Sequence, residues 1–364
     1  MPAFLVRSPG LAIVVSSSGC GRDARELAWT EGHVRVLVTG GAGYVGSVVV
    51  AQLVDAGHDV VVIDNLSKGH RAAVAPQALL ETIDLGDTPG VTRLVGHFQP
   101  EATIHFAALS LVGESVNVPR RYYRENVAAT LNLLDALDGS PCRAFVLSSS
   151  AAVYGGPTGA PLDPIDESHR LLPTNPYGET KRACERMIAW AAPRMGMRAL
   201  SLRYFNAAGA TATLGEDHDP ESHLIPIILK VAMGRTESIG QFGDDYDTPD
   251  GTAIRDYVHV ADLASAHVAA VAMLLERDVG HDAMNLGTGK GHSVAEVIAA
   301  ARKLTGHPIP VTREARRPGD PPALVARGDL ARASLGWVPR LPSIEEIVGS
   351  AWEWTRRHPD GYKD

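Results

Sequence analysis

Tyr177 and Lys181 stand four residues apart in PYGETK, directly behind an asparagine. Asn175 is a residue type that caps helices and Pro176 suits a first helical turn. The spacing therefore predicts a helix with the phenol and the ammonium on one face. Such a pair can move a proton. An unperturbed tyrosine has a pKa of about 10, and bringing it near neutrality takes roughly 3 units, or about 4 kcal/mol of phenolate stabilisation. Nearby positive charge is the natural source. A YxxxK pattern also occurs on ordinary amphipathic helices, so its companions matter. The run RAFVLSSS ends at Ser150, whose hydroxyl can orient a substrate oxygen.

The second group with chemical meaning is TGGAGYVG, which follows the apolar run VRVLVT and opens the helical stretch VGSVVVAQLVDAG. Gly40 permits a tight turn, Gly43 a close approach of backbone to a pyrophosphate, and Gly46 close helix packing, while a helix N-terminus favours negative charge. The next run ends in Asp64, where a carboxylate can accept from an adenosine ribose. That acid selects NAD over NADP. Asp84 and Leu85, after a third run, either flank the adenine or simply end a strand. With NAD present, Ser150, Tyr177 and Lys181 suit removal of a proton from an alcohol while the cofactor takes the hydride.

Positioning these groups requires a particular scaffold. VRVLVT, HDVVVID, ETIDL, ATIHFAA, RAFVLSSS and RALSLRYF alternate with helical stretches, which predicts an α/β Rossmann fold: a doubly wound parallel sheet with ligands at the strands' carboxyl ends. GGPTGAPLDPIDESHRLLPTNP is a Pro-rich loop of functional length. Beyond Asn206 the alternation turns irregular, which suggests a smaller C-terminal substrate-binding lobe, and SIEEIVGSAWEWTRRH reads as a packed terminal helix. We expect residues 1–33 to be a disordered extension, 34–206 mainly the NAD-binding domain, and 207–364 mainly the substrate lobe, with some segments returning to the first domain.

Composition bounds the partners. In 364 residues, 45% are hydrophobic and 21% charged, as in an ordinary globular protein. A net charge of -8 with scattered Lys and Arg offers no nucleic-acid footprint. No apolar run reaches the roughly 20 residues of a membrane span. Cys20, Cys142 and Cys184 have neither metal-ligand nor disulfide spacing, so no metal site is expected and a reducing, cytoplasmic setting fits.

Taken together, the motifs resemble the extended short-chain dehydrogenase/reductase family, and from Val34 to Asp364 its UDP-galactose 4-epimerase branch. The likeness runs through TGGAGYVGS, IDNL, HFAA followed by VGESV, SSSAAVYG, PYGETK, LRYFNAAGA, GTAIRDYVHVADLA, NLGTG and HPDGY. It implies interconversion of UDP-glucose and UDP-galactose, with Tyr177 as base and then acid at the carbon 4 hydroxyl, Ser150 assisting, and Lys181 holding the nicotinamide ribose. It further implies cofactor contacts at Tyr44, Val45, Asn65, Phe106, Ala107, Ala108, Asn126 and Tyr204, beside the glycines, Asp64, Asp84 and Leu85. The UDP-hexose would meet Asn206, His223, Leu224, Phe242, Arg255, Arg317, Asp320 and Leu324, and the enzyme would be a homodimer. Ser110 departs from the lysine often found after HFAGL, and Ser222 and His223 from an asparagine pair. Leu324, implied to border the hexose, is smaller than the tyrosine common there.

Rival readings differ at named residues. A 4,6-dehydratase would place Asp-Glu after the catalytic hydroxyl, where Ala151 and Ala152 stand. A non-catalytic NAD sensor would have no need of Ser150, Tyr177 and Lys181 together. Epimerases of other UDP-sugars (N-acetylhexosamine, pentose or uronic acid) remain open.

Overall fold

A computed structural model describes residues 32–156, 162–277, 280–317 and 320–363. The expectation for residues 1–33 therefore falls almost wholly outside the described residues.

The β-branched runs form β1 (Arg35–Thr39), β2 (Asp59–Asp64), β3 (Leu79–Thr82), β4 (Ala102–His105), β5 (Ala144–Ser150) and β6 (Arg198–Tyr204). Between and after them lie α1 (Tyr44–Asp55), α2 (Thr88–Phe98), α3 (Val112–Asn117), α4 (Pro119–Tyr122), α5 (Ala129–Leu137) and α6 (Pro176–Arg194). The remaining strands are β7 (Asn206–Ala208), β8 (Ile239–Phe242), β9 (Ile254–His259), β10 (His281–Leu286), β11 (Gly291–Ser293), β12 (Val311–Glu314) and β13 (Ala323–Leu324). The remaining helices are α7 (Leu224–Ala232), α8 (Val260–Glu276), α9 (Val294–Thr305), α10 (Asp329–Leu335) and α11 (Ile344–Arg357).

Seven strands make one parallel sheet in the order β10-β6-β5-β4-β1-β2-β3. This is the doubly wound Rossmann order with one strand added beyond β6. The alternation of apolar side chains explains why both faces are covered. Val36, Val38, Val60, Val62, Ile104 and Val146 pack with residues of α1 and α8, whereas Leu37, Val61, Ile63, Phe145 and Leu147 pack with residues of α2, α5 and α6. The order reverses between β1 and β4, and that switch point is where ligands bind such sheets.

Two details differ from the sequence reading. The third strand lies at Leu79–Thr82, just upstream of most of ETIDL, because Ile83 to Asp87 turn into the capped start of α2. The seventh strand, HDAMNL, was not foreseen; its first half is polar and partly exposed, and only its end is buried.

The irregular C-terminal part forms a β11-β9-β13 sheet with β7 on β9, and a β12-β8 pair. Its core joins Ile225 and Ile228 of α7, Val297 of α9 and Ile347 of α11 to Tyr257. The terminal helix is the one the spacing predicts, started by a Ser343–Glu346 capping box. Among the described residues, no helix is long and apolar enough to cross a membrane.

Candidate active site

At the switch point the chain turns sharply out of β1. Gly40 adopts a φ of 72°, and a Cβ there would lie 2.5 Å from the Ala107 nitrogen, so only glycine fits between β1 and the loop after β4. Gly43 caps α1 without any side-chain hydrogen bond, leaving the first-turn amides around Tyr44, Val45 and Gly46 without intrahelical acceptors. A Cβ on Gly43 would meet only the Gly40 oxygen, at 3.3 Å. Internal crowding therefore explains that glycine less well than the approach of an anion does, and the turn fits the pyrophosphate of NAD.

Asp64 ends β2 beside this turn. Its Oδ2 accepts from the Ala42 amide at 3.0 Å and its Oδ1 from the Leu66 amide at 2.9 Å. The acid thus shapes the turn it was expected to serve, and each oxygen keeps a further acceptor direction for a ribose hydroxyl. Burial raises its pKa, against the lowering by those two amides. Asn65 donates to Asp84 at 2.7 Å, and Leu85 is buried against α2 and α5 residues. The amides of Phe106 and Ala107 donate to Thr39 at 2.8 and 3.1 Å, placing these two residues and the half-buried Ala108 across from Gly40. Asn126 is braced within the protein, since its amide group bonds both backbone groups of Leu109 and the Thr180 hydroxyl, while its Oδ1 keeps a further acceptor direction. It fixes the loop that follows Ala108, and Ser110 is exposed on that loop.

The catalytic candidates meet at the carboxyl end of β5. Ser150 ends the strand and its Oγ accepts from the Ala152 amide at 3.2 Å, capping a short turn. Helix α6 starts as the sequence predicts, with Asn175 Oδ1 accepting from the Gly178 amide at 2.9 Å. Gly178 also explains the closeness of helix and turn, since a Cβ there would fall 2.4 Å from the Ala152 oxygen. Tyr177, on the first turn of that helix, is consequently brought close enough to the Ser150 side chain for the hydroxyl to act on the phenol. Tyr204 pairs with Ser150 in the β5–β6 register and shares a 2.7 Å hydrogen bond with the Ser148 hydroxyl.

The protein's own groups leave the phenol to be activated by what binds beside it. Burial, and secondarily Tyr204, push the Tyr177 phenol above its ordinary pKa, while the Ser150 hydroxyl pulls it down. Lys181 lies 6.0 Å from the centre of the Tyr177 ring and donates to the Ser148 carbonyl at 2.8 Å. Burial lowers the Lys181 pKa to about 8, although Cys184 and Glu185 pull the other way. The protein alone thus holds the phenol neutral, and Lys181 is aimed at the sheet edge more than at the phenol. Behind it, Arg203 grips Glu185 through two bonds of 2.9 and 2.6 Å, and Ser149 donates to Glu185 at 2.5 Å. This buried pair has no local signature, because its members are 18 residues apart on different elements.

Across the crevice, Asn206 lies on β7 and Arg255 on β9. Arg255 is anchored to the Ile254 and Pro321 carbonyls at 2.8 and 3.0 Å and approaches Asp320 at 3.6 Å. Leu324 pairs with Arg255 in register and packs against the cluster of Ala151, Val153, Tyr154 and Ile165, beside the Ser150 turn. Arg317 stacks over the Phe242 ring at 3.9 Å. His223 caps α7 and Leu224 begins it, but the His223 Nδ1 contacts Glu216. Tyr246 escaped the sequence reading. Its hydroxyl is buried without a partner among the described residues, Asp320 and Arg255 influence its charge, and Arg316 covers its ring at 4.3 Å. An aromatic inside the polar loop FGDDYDTPDGT was the available signal.

Comparison with known proteins fits this geometry. The model of the NAD dependent epimerase/dehydratase family matches residues 36–287. The UDP-glucose 4-epimerase of Halalkalibacterium halodurans is 48% identical over 329 residues, 90% of this chain and 97% of that protein. The structure of UDP-glucose 4-epimerase from Brucella ovis in complex with NAD is 46% identical, with a TM-score of 0.84 over 88% of this chain and 97% of that one. The enzyme from Bifidobacterium longum in complex with NAD+ and UDP is 39% identical, with a TM-score of 0.84 over 90% of this chain and 100% of that one.

Proposed function

The chain belongs to the NAD dependent epimerase/dehydratase family, and from that premise we propose that Ser150, Tyr177 and Lys181 invert carbon 4 of a UDP-hexose. The enzyme is an isomerase that interconverts UDP-glucose and UDP-galactose through a transient 4-keto sugar, with NAD as its cofactor. The observation that carries the residue assignment is the close packing of the start of α6, which bears Tyr177, on the turn that Ser150 caps at the carboxyl end of β5, in the same sheet whose switch point holds the glycine turn and Asp64.

When bound, NAD takes the hydride from carbon 4 and returns it. With its phenolate favoured by the positive charge of the nicotinamide when NAD is bound, Tyr177 would remove the proton of the carbon 4 hydroxyl and later give it back, while Ser150 holds that oxygen in line with the phenol. Lys181 has donors beyond the one given to Ser148, and they hold the nicotinamide ribose. The amides at the start of α1 take the pyrophosphate of the cofactor, Asp64 its adenosine ribose, and Asn65, Asp84, Leu85, Phe106, Ala107, Ala108 and Tyr204 line its course. Inversion requires the keto sugar to present its other face, so the nucleotide must be held more firmly than the hexose. Arg255 and Arg317 suit the pyrophosphate of the substrate through planar, charge-assisted bonding. Asn206, Leu224, Phe242 and Asp320 complete that anchor, and Leu324 borders the sugar.

Residues 34–206 serve mainly the cofactor and 207–364 mainly the UDP-sugar, with α8 and β10 returning to the large sheet. Apolar Tyr123, Leu131 and Trp190 are exposed on adjoining helical segments, Trp190 by 78%, and this supports a homodimer built on those helices. Buried, free Cys142 and Cys184 agree with a cytoplasmic setting.

The decisive assay incubates the purified protein with UDP-galactose and resolves the products. UDP-glucose should accumulate to equilibrium without net change in bound NAD. Failure to form it, in folded protein shown to hold NAD, would remove this reading.

A further inference from the structure

Glu216, His218, Glu221 and His223 alternate through one irregular segment between β7 and α7. Each offers one ligand atom, and the four atoms all lie within 4.8 Å of one another. Glu216 Oε1 is 3.1 Å from His218 Nδ1, His223 Nδ1 is 3.8 Å from Glu221 Oε1, and His223 Nδ1 also contacts Glu216 Oε1. We propose that these four side chains form a binding site for a divalent transition-metal ion of the zinc type.

The argument rests on donor chemistry and placement. Tetrahedral zinc takes nitrogen and oxygen ligands at about 2.0–2.2 Å, which separates neighbouring ligand atoms by roughly 3.3 Å. The 3.1 and 3.8 Å separations lie on either side of that value, and the closer contact of His223 with Glu216 would open as the ion enters between them. Two imidazoles with two carboxylates suit zinc or cobalt, whereas calcium and magnesium call for oxygen-only shells of six or more. The carboxylates balance the dipositive charge, and their side chains are only 6% and 4% exposed. Buried carboxylates need a cationic partner. The two histidines meet that need in part when protonated, so a purely ion-paired cluster is the competing state.

The segment is also braced from outside. Lys68 donates to the Asp219 carbonyl, His70 bonds the Asp217 carbonyl at 3.0 Å, and the Tyr362 amide donates to Asp217 at 2.9 Å. The His218 ring stands edge-on to Tyr44, 6.2 Å between centres, and Tyr44 is the first residue of α1. Four protein ligands leave no open coordination position, so the ion is structural and not catalytic. It would stiffen the segment lying against the dinucleotide turn. The proposal does not depend on the epimerase assignment.

The test uses untagged, full-length protein equilibrated with zinc chloride, or separately with cobalt chloride, and then desalted. Elemental analysis should find about one equivalent of zinc per chain, and the cobalt form should show intense visible bands of tetrahedral symmetry without a thiolate charge-transfer band. His218→Ala and Glu221→Gln should each lower metal retention at least tenfold, and His33→Ala, at an exposed histidine far along the chain, should leave it unchanged. Removing the metal from wild type should lower its melting temperature. Folded wild-type protein that retains no more metal than Glu221→Gln, or a cobalt spectrum showing cysteine ligation, would overturn the proposal in favour of the ion-paired cluster. Should a variant fail to fold, the wild-type stoichiometry and cobalt spectrum decide by themselves.

Discussion

Tyr177 and Lys181 show how burial serves two opposite ends. Burial keeps the Tyr177 phenol protonated and brings the Lys181 ammonium nearer to losing its proton, so the phenol needs added positive charge beside it before it can act as a base. Tyr177→Phe removes only the transferable proton from a similar ring, so turnover should fall by roughly 100-fold or more with fold and NAD content unchanged. Assay of the folded variant on UDP-galactose checks this, and near-wild-type turnover would remove Tyr177 from the reaction. Lys181 carries a stability consequence with a definite sign. Its folded pKa of about 8 lies below the ordinary 10.5, so between those values the unfolded chain binds more protons and stability rises with pH. Below pH 8 the fold holds the charge at a cost. Lys181→Met should therefore be inactive yet more stable at pH 7, by on the order of 2 kcal/mol after the lost bond to Ser148 is counted. Urea titrations from pH 7 to 10 should show the wild type catching up with the variant, and parallel curves would contradict the assignment. Leu324 raises the question of breadth. It packs beside the Ser150 turn, and a larger ring there would narrow the space next to the sugar. Leu324→Tyr should lower the ratio of UDP-N-acetylglucosamine to UDP-galactose turnover by an amount worth about 1 to 3 kcal/mol. Steady-state kinetics on both sugars would read it, and an unchanged ratio would deny Leu324 that role.

At the scale of elements, the site depends on how closely α6 approaches the end of β5. Asn175 starts the helix, Pro176 occupies its first turn, and Gly178 lets it touch the carbonyl of Ala152. The helix is then held down further along by the Glu185–Arg203 pair, which links it to β6, while Tyr154 accepts from Arg203 at 2.9 Å and donates to Asn285 of β10 at 2.8 Å. Gly178→Ala places a methyl 2.4 Å from a backbone oxygen that cannot step aside. The start of α6 must shift, and with it the Tyr177 phenol relative to Ser150. Misplacements of this size cost on the order of 100-fold in rate, with a small loss of stability because the rest of the helix stays anchored. Kinetics and thermal melting of this variant are the check: a large loss of stability with normal turnover in the surviving enzyme would show that Gly178 serves packing and not alignment. Arg203→Leu would be a harsher change, leaving Glu185 buried and unpaired at a cost of about 3 to 5 kcal/mol.

For the whole molecule, the parts legible in the sequence were those written in local spacing. The glycine turn, the Asn175 cap and the YxxxK pair each occupy a few consecutive residues, and the parallel sheet showed itself in repeated β-branched runs. What escaped was set by contacts between distant segments. The polar strand β10 joins the sheet only because β6 offers it a free edge, Glu185 meets Arg203 only when α6 packs beside β6, and the Tyr246 ring lies under the distant Arg316 side chain. Residues of this kind also govern how the molecule responds to acid. His105 lies between β1 and α5, bonded to Thr39 at 2.6 Å and Thr130 at 2.8 Å, and burial, helped by the Lys181 charge, lowers its pKa to about 3. His267 of α8 packs on Phe106 and is lowered by burial to about 4. Both are neutral in the fold at any pH above these values, whereas the unfolded chain protonates them from about 6.5 downward. The unfolded state therefore binds more protons between 6.5 and the folded values, and stability that is complete above pH 6.5 is lost as pH falls. At pH 5 each histidine should have removed about 2 kcal/mol, before ordinary carboxylates begin to titrate. His267→Gln cannot take up that proton, so its loss of unfolding free energy between pH 7 and pH 5 should be smaller than that of wild type by about 2 kcal/mol. Urea unfolding of both proteins at the two pH values gives the answer. An equal loss in the variant would mean that His267 is protonated within the fold and that acid lability originates at another site.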